Sequence, residues 1–261
     1  MMNVMVFDIE TIPDVAAARR LNDFDGLNDA EVAEALFALR RLKTGSDFLP
    51  HYLHRICAIS VVFRSRDTFK VWSLGELESD EKELVQRFFD GIDRYTPTLV
   101  SWNGGGFDLP VLHYRALKHA IAAPRYWEIG QEDQSFRYNN YLSRFHWRHI
   151  DLMDALSGYQ ARAVAPLDQI ATMLGFPGKM GMSGAKVWDH YQQGDLKGIR
   201  DYCETDVLNT YLVYLRFELM RGNLTPEGYA TECQVVRDAL AGAEESHLRE
   251  FLATWQAGEA Q

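Results

Sequence analysis

Val4-Met5-Val6-Phe7-Asp8-Ile9-Glu10-Thr11 decides how the rest of the chain is read. Val4 to Ile9 is apolar except at Asp8, the pattern of a central strand covered on both faces. Side chains alternate along a strand, so Asp8 and Glu10 point to the same face. At about 4 Å and an effective dielectric of 20, two such carboxylates repel by roughly 4 kcal/mol. A divalent cation would relieve that repulsion. A solvated strand end would make it cheap, and the pair alone leaves both readings open.

Outward from this strand, elements alternate. Residues 14–50 read as mostly helical, with Val32, Ala35, Leu36 and Leu39 at helical spacing. Ile56 to Phe63 and Thr68 to Trp72 read as strands joined by the polar turn Arg64-Ser65-Arg66-Asp67. Leu84, Phe88 and Ile92 mark a helix, Leu99 to Trp102 a short strand, Leu109 to Leu117 a helix, and His149 to Asp151 another short strand. Helices over Pro166 to Leu174 and Gly198 to Met220 flank a Gly/Met/Lys loop at 175–186, and the tail is helical in composition from Pro226. With no linker-like segment, this predicts one α/β domain over 1–261, a mixed sheet flanked by helices.

The helix from Gly198 to Met220 turns Ile199, Cys203, Thr210, Val213, Tyr214 and Phe217 inward. Tyr202 and Asp206, four apart, stack one turn above the other beside that face. A carboxylate among Cys203, Val207 and Thr210 is either a buried charge needing a partner or an ordinary exposed helical Asp. Asp108 follows Asn103-Gly104-Gly105-Gly106-Phe107 and precedes Leu109-Pro110, where an N-cap is the plain reading. Gly178-Lys179 fails as a P-loop, and Gly181-Met182-Ser183-Gly184-Ala185 misses a nucleophile elbow by its last residue. His51, His54, His146 and His149 lack the arrangement of a zinc site. Asp151 reads as a helix cap or a support for neighbouring groups.

A net charge of -10 disfavours a protein that grips nucleic acid mainly by charge, so any such contact is local. Three cysteines, Cys57, Cys203 and Cys233, without CxxC spacing read as reduced thiols in a cytoplasmic protein. The first residues lack a basic region and do not read as a signal peptide. No apolar run approaches the roughly 18 residues of a membrane span.

Together the segments resemble the DEDD (DnaQ-like) exonuclease superfamily, on a ribonuclease H-like fold. Phe7-Asp8-Ile9-Glu10-Thr11 resembles its first motif, and Asn103-Gly104-Gly105-Gly106-Phe107-Asp108-Leu109-Pro110 its second, in the form used by family-B DNA polymerases. Tyr202-Cys203-Glu204-Thr205-Asp206 resembles its third, with the tyrosine of the DEDDy branch. The most similar group is the bacterial stand-alone proteins described as predicted 3′→5′ exonucleases related to the family-B exonuclease domain. The resemblance covers about residues 3–217 and leaves 222–261 as a helical C-terminal extension.

The resemblance implies a two-metal 3′→5′ exonuclease using Mg²⁺ or Mn²⁺ and releasing nucleoside monophosphates, most naturally from single-stranded DNA. Asp8 would bridge both metals, and Glu10 and Asp206 would complete the site of the attacking water. Asp108 would support the second metal, and Tyr202 would orient the water. Thr11, Asn103 and Phe107 are candidate substrate contacts within the motifs. Lys179, Ser183 and Lys186 are candidates in the loop before the third motif. Arg144 and Trp147, in the basic and aromatic stretch 137–148, are candidates for stacking and steering single strands, unless that loop packs its aromatics inward. The alternatives are an exoribonuclease, a non-catalytic nucleic-acid-binding module, or a proofreading subunit with a polymerase or repair partner that the sequence does not reveal.

Overall fold

The computed structural model describes residues 3–259. Its first strand, β1 (Val4–Pro13), runs past Ile9 to Pro13. β2 (His54–Arg64) pairs antiparallel with β1, and β3 (Phe69–Ser73) pairs antiparallel with β2. β4 (Thr98–Ser101) and β5 (His149–Asp151) continue the sheet in parallel from the other side of β1. The order β3-β2-β1-β4-β5, with only β2 reversed, is the mixed sheet of a ribonuclease H-like α/β fold.

Two irregularities in β1 shape its far end. β4 pairs only with Val4, Met5 and Val6, so the β1 edge beyond them has no strand on that side. The β1–β2 register slips between Glu10 and Thr11, where Cys57 is the extra residue on β2. Such a bulge bends a strand and re-aims side chains, and it falls here beside Glu10.

The two faces of the sheet carry separate cores. Met5, Phe7 and Ile9 pack with α3 (Glu81–Tyr95) and α4 (Asp108–His119). Val4 and Val6 pack on the opposite face against α8 (Leu196–Met220). That helix is buried almost all round from Cys203 to Leu215, a wider contact than the single face its spacing predicts. It is covered by α6 (Leu167–Met173), α9 (Pro226–Ala241) and α10 (Ser246–Glu259). Val236, Phe251 and Trp255 therefore share one core with the sheet, and the C-terminal helices are part of the fold rather than an appendage. Arg64 at the end of β2 grips Glu232 of α9 through two hydrogen bonds of 2.8 and 2.9 Å.

Residues 14–50 form two helices, α1 (Val15–Leu21) and α2 (Asp29–Thr44), inserted between β1 and β2. Asn28 caps α2 with a reciprocal Glu31 contact. The buried stripe is Val32, Ala33 and Leu36, with Val32 and Leu36 packed on Leu49 and Leu53; Leu39, expected inward, is 49% exposed. Short helices α5 (Leu152–Leu156) and α7 (Val187–Gln192) complete the chain, the latter beginning directly after the loop expected at 175–186.

Candidate active site

Asp8 and Glu10 lie on the α8 face of β1, as the alternation requires. Their carboxylate oxygens and the Cys203 sulfur all lie within 4.8 Å of one another. Asp108 is the first residue of α4, not its cap, and its side chain reaches the unpaired edge of β1. There its Oδ1 accepts the Ile9 N–H at 3.1 Å, doing what a neighbouring strand would otherwise do. It is 3% exposed.

Electrostatics tie the four acids together. Burial, then the charges of Asp108, Glu10 and Asp206, holds Asp8 well above the usual carboxylate range. Burial, then Asp206 and Asp108, does the same to Glu10. Burial lifts Asp108 to about 7 despite the Ile9 N–H, and lifts Asp206 to about 6 against the Tyr202 hydroxyl and Lys179. Among the described residues none of the four has an ion-pair partner within 4 Å. Buried negative charge with hard oxygen donors and no buried cation is the donor set that suits divalent metals. Cys203 adds a soft thiol beside these hard carboxylates. Burial and then Asp8 push its thiol far up, and it donates to the Asp8 backbone oxygen at 3.5 Å and Oδ2 at 3.7 Å.

The glycine turn is built for close approach. Asn103 adopts a left-handed φ of 63°, a conformation asparagine tolerates. A Cβ on Gly104 would meet the Ser101 hydroxyl at 2.3 Å, and one on Gly106 the Asn103 side chain at 2.4 Å. Asp151 staples this turn, accepting the Asn103 and Gly105 N–H groups at 2.9 Å each while capping α5. Asn103 is thus occupied in shaping the turn that delivers Phe107 and Asp108.

A buried polar chain reaches Cys203's neighbourhood from the C-terminal helix. His247 of α10 hydrogen-bonds Glu204 at 2.8 Å, and the Ser73 hydroxyl donates to the other Glu204 oxygen at 2.7 Å. With its proton so used, Ser73 accepts from Ser60 at 2.9 Å, and Ser60 is paired with Asp8 across β1 and β2. None of His247, Ser73 and Ser60 stands out in the sequence, because the chain joins five separate segments.

Beside Glu10 lies a cavity of about 510 Å³ lined also by Thr11, Phe48, His54, Phe107 and Trp188. Phe48 and Phe107 are 5.4 Å apart between ring centres, and His54 is 5.0 Å from Phe107. The Leu49 carbonyl accepts from His54 Nε2 at 3.1 Å, so Nδ1 accepts the Thr11 hydroxyl at 2.8 Å. Burial holds His54 at about 4 and keeps that neutral tautomer. Phe48 escapes a helical reading of 14–50; Ser46-Asp47-Phe48-Leu49-Pro50 carries turn and proline signals that mark it as loop.

Lys179 and Lys186 are exposed beside Tyr202, and Ser183 opens a 3-10 turn, Gly184–Lys186, between the two. Trp147 is not brought to the acids. It stacks under Arg221 at 3.8 Å and against Phe217, and from Asp206 to Phe217 α8 rises about 16 Å. Arg144 pairs with Asp154 at 2.7 Å and lies over Tyr159. The stretch is mixed: Tyr141 is buried and Arg148 lies 3.8 Å over the buried Phe136, whereas Tyr138 and Phe145 face solvent.

Residues 46–255 match the family model described as "Predicted 3'-5' exonuclease related to the exonuclease domain of PolB". The chain belongs to this family. The family is one of predicted exonucleases, and exonuclease domains of this kind generally use divalent metals. The match takes in α9 and α10 and begins after the strand that carries Asp8 and Glu10. Over 140 residues the chain is 24% identical to a DNA polymerase of Archaeoglobus fulgidus, covering 52% of this chain and 17% of that one. Over 145 residues it is 26% identical to the catalytic subunit of DNA polymerase epsilon from Dictyostelium discoideum, covering 54% and 6%. It thus spans under a fifth of the length of these relatives. The family B DNA polymerase structure from Pyrobaculum calidifontis aligns with 97% of this chain and 27% of its own, at 16% identity and a TM-score of 0.49.

Proposed function

We propose that the chain hydrolyses nucleoside monophosphates one at a time from the 3′ end of single-stranded DNA by a two-metal mechanism. The observation that carries this reading is a set of four mutually repelling carboxylates without ion-pair partners, one of which, Glu10, lines an aromatic cavity. Asp8, Glu10, Asp108 and Asp206 would hold two Mg²⁺ or Mn²⁺ ions, which when bound activate a water and stabilise the leaving 3′-oxygen. The chain's own side chains do the rest. Phe48 and Phe107 offer faces on which a terminal base stacks without regard to its identity. The Ile9 N–H keeps Asp108 aimed into the site. Burial, then Asp206 and Glu10, pushes the Tyr202 hydroxyl far above its ordinary range, so it acts as a protonated positioner of water and not as a base. The relatives are DNA polymerases, which supports DNA over RNA. The net charge of -10 supports a strand end over a long duplex, whose binding needs many phosphate contacts.

The deciding experiment uses a 5′-labelled single strand with Mg²⁺ or Mn²⁺. A free 3′ end gives a stepwise ladder and a 3′-phosphorylated end does not; the matched RNA is shortened more slowly. Fragments that first appear internally, or equal cleavage of the blocked strand, would overturn the reading.

Tyr202→Phe removes one hydroxyl and keeps the ring. The expected loss in kcat is roughly 10²-fold, within the range of positioned hydrogen-bonding groups. The melting-temperature rise on adding Mn²⁺ should survive in Tyr202→Phe and vanish in Asp206→Ala. If both variants lose it equally, Tyr202 serves the metal site's structure instead.

A further inference from the structure

We propose that a second cavity, between the 177–186 segment and α10, holds the strand on the 5′ side of the scissile phosphate, with α10 as its outer wall. The proposal rests on the single-strand exonuclease reading above and assigns the part of the substrate that reading leaves unplaced.

Two cavities flank the acids. The aromatic one is lined by Glu10 itself, and the second, of about 580 Å³, by Tyr202, whose hydroxyl hydrogen-bonds Asp206. The Gly184–Lys186 turn is the ridge between them: Gly184 and Ala185 line the first, Lys186 the second. Their chemistry differs as the two sides of a scissile bond differ. No lysine or arginine lines the aromatic cavity, which suits a terminal nucleoside that carries no phosphate beyond the one being attacked. The second cavity is lined by Lys179 and Lys186, neither of whose ammonium groups has an ion-pair partner among the described residues. The strand on the 5′ side carries one phosphate per nucleotide and needs such cations.

Lys179 is also held in place. Asn209 accepts the Gly178 N–H at 3.1 Å and donates to the Gly178 carbonyl at 2.8 Å, while Asp168 accepts the Lys179 N–H at 2.6 Å. Gly178 takes a φ of +65°, and a Cβ there would meet the Thr172 hydroxyl at 2.5 Å. Across the cavity, α10 contributes His247, Glu250 and Thr254. Asp201, the other acid in the lining, is engaged by Lys197 at 2.5 Å and faces His247 at 3.3 Å, so exposed Glu250 is the acid a passing phosphate would meet.

The test compares two substrates. The p-nitrophenyl ester of thymidine 5′-monophosphate offers only the terminal nucleotide, whereas decathymidylate also occupies the 5′ side. In the double variant Lys179→Ala, Lys186→Ala the ratio of the decathymidylate KM to the ester KM should rise roughly tenfold, as loss of charge-assisted contacts implies. The slope of log KM for decathymidylate against log salt should flatten by about 1.4, roughly 0.7 for each lost single-strand phosphate contact. Glu250→Lys, on the exposed face of α10, should move both quantities the other way. An unchanged ratio in the lysine variant, or no response to Glu250→Lys, overturns the proposal. If the wild-type chain hydrolyses neither substrate, the exonuclease reading beneath it fails instead, so the two failures are told apart.

Discussion

Asp8→Asn is expected to lose more than about 10²-fold in activity, beyond the 10–100-fold that outer supports of a metal site are worth, while making the metal-free protein more stable at pH 8. Asp8 lies among like charges: its carboxylate is within 4.8 Å of Glu10, and Asp108 and Asp206 add to the repulsion. In the folded state all four acids bind protons more tightly than ordinary carboxylates do, with Asp108 at about 7 and Asp206 at about 6. A raised folded-state value means that the folded form holds protons the unfolded chain has already released. That stability is fully present below about pH 4. It is lost as pH rises through the folded values, about 6 for Asp206 and about 7 for Asp108. Replacing one charge by a neutral amide of the same shape should therefore matter little at pH 5 and help at pH 8. The gain is at most roughly 4 kcal/mol, one like-charged pair at an effective dielectric of 20. Metal reverses the trend, because it binds the deprotonated folded state; at a hundred times its Kd it adds about 2.7 kcal/mol. Thermal melts of both proteins at pH 5 and 8, with and without Mg²⁺, check each part. A wild-type preparation whose metal-free deficit at pH 8 is not reduced in Asp8→Asn, or an Asp8→Asn protein of full activity, would sink the assignment.

The legible part of this chain is what local periodicity encodes. Alternation puts Asp8 and Glu10 on one face, and the helical repeat puts Tyr202 one turn before Asp206. Both relations hold because they depend on backbone geometry that neighbours barely alter. Asp108 is less legible. An Asp at a helix start reads as a cap, and only the shortness of β4, which strands the Ile9 N–H, gives its carboxylate another task. Phe48 and the chain from His247 to Ser60 are illegible for a different reason. Their roles arise where an insert or a distant helix folds back, and no period within a segment carries that information. Trp147 shows another limit: a basic, aromatic composition fits both a binding strip and inward packing, and nothing in it tells that this half-exposed ring lies against Arg221 and Phe217.

Arg115→Met should cost about 3–5 kcal/mol of stability, the range for removing one partner from a buried ionic cluster. Arg115 is 2% exposed and sits two turns along α4 from Asp108. Its guanidinium donates to Asp14 at 2.6 Å and to Glu81. Asp14 follows the last residue of β1, accepts the Ala17 N–H at 3.0 Å, and is also reached by Lys118 at 2.7 Å. Glu81 opens α3, accepts the Ile56 N–H of β2 at 2.7 Å and hydrogen-bonds His119 at 2.8 Å. One side chain thus fixes the helix that delivers Asp108 against the strand that carries Asp8 and Glu10. Methionine fills much of the volume but leaves two carboxylates buried with only Lys118 and His119 at hand, and an uncompensated buried charge is what makes such a loss large. Burial opposes the charge on Asp14, but Lys118, the Ala17 N–H and Arg115 together hold it at about 2. Its contribution is therefore present above about pH 4 and disappears as pH falls toward 2, and the wild-type advantage over Arg115→Met should shrink in acid. Urea unfolding at pH 7 and pH 3 measures both effects. Adding Asp14→Asn and Glu81→Gln to Arg115→Met should return part of the lost stability, because the orphaned charges go with the arginine. A loss below about 1 kcal/mol at pH 7, or a triple variant no more stable than Arg115→Met alone, would mean that water reaches the carboxylates and the cluster does not hold α4 in place.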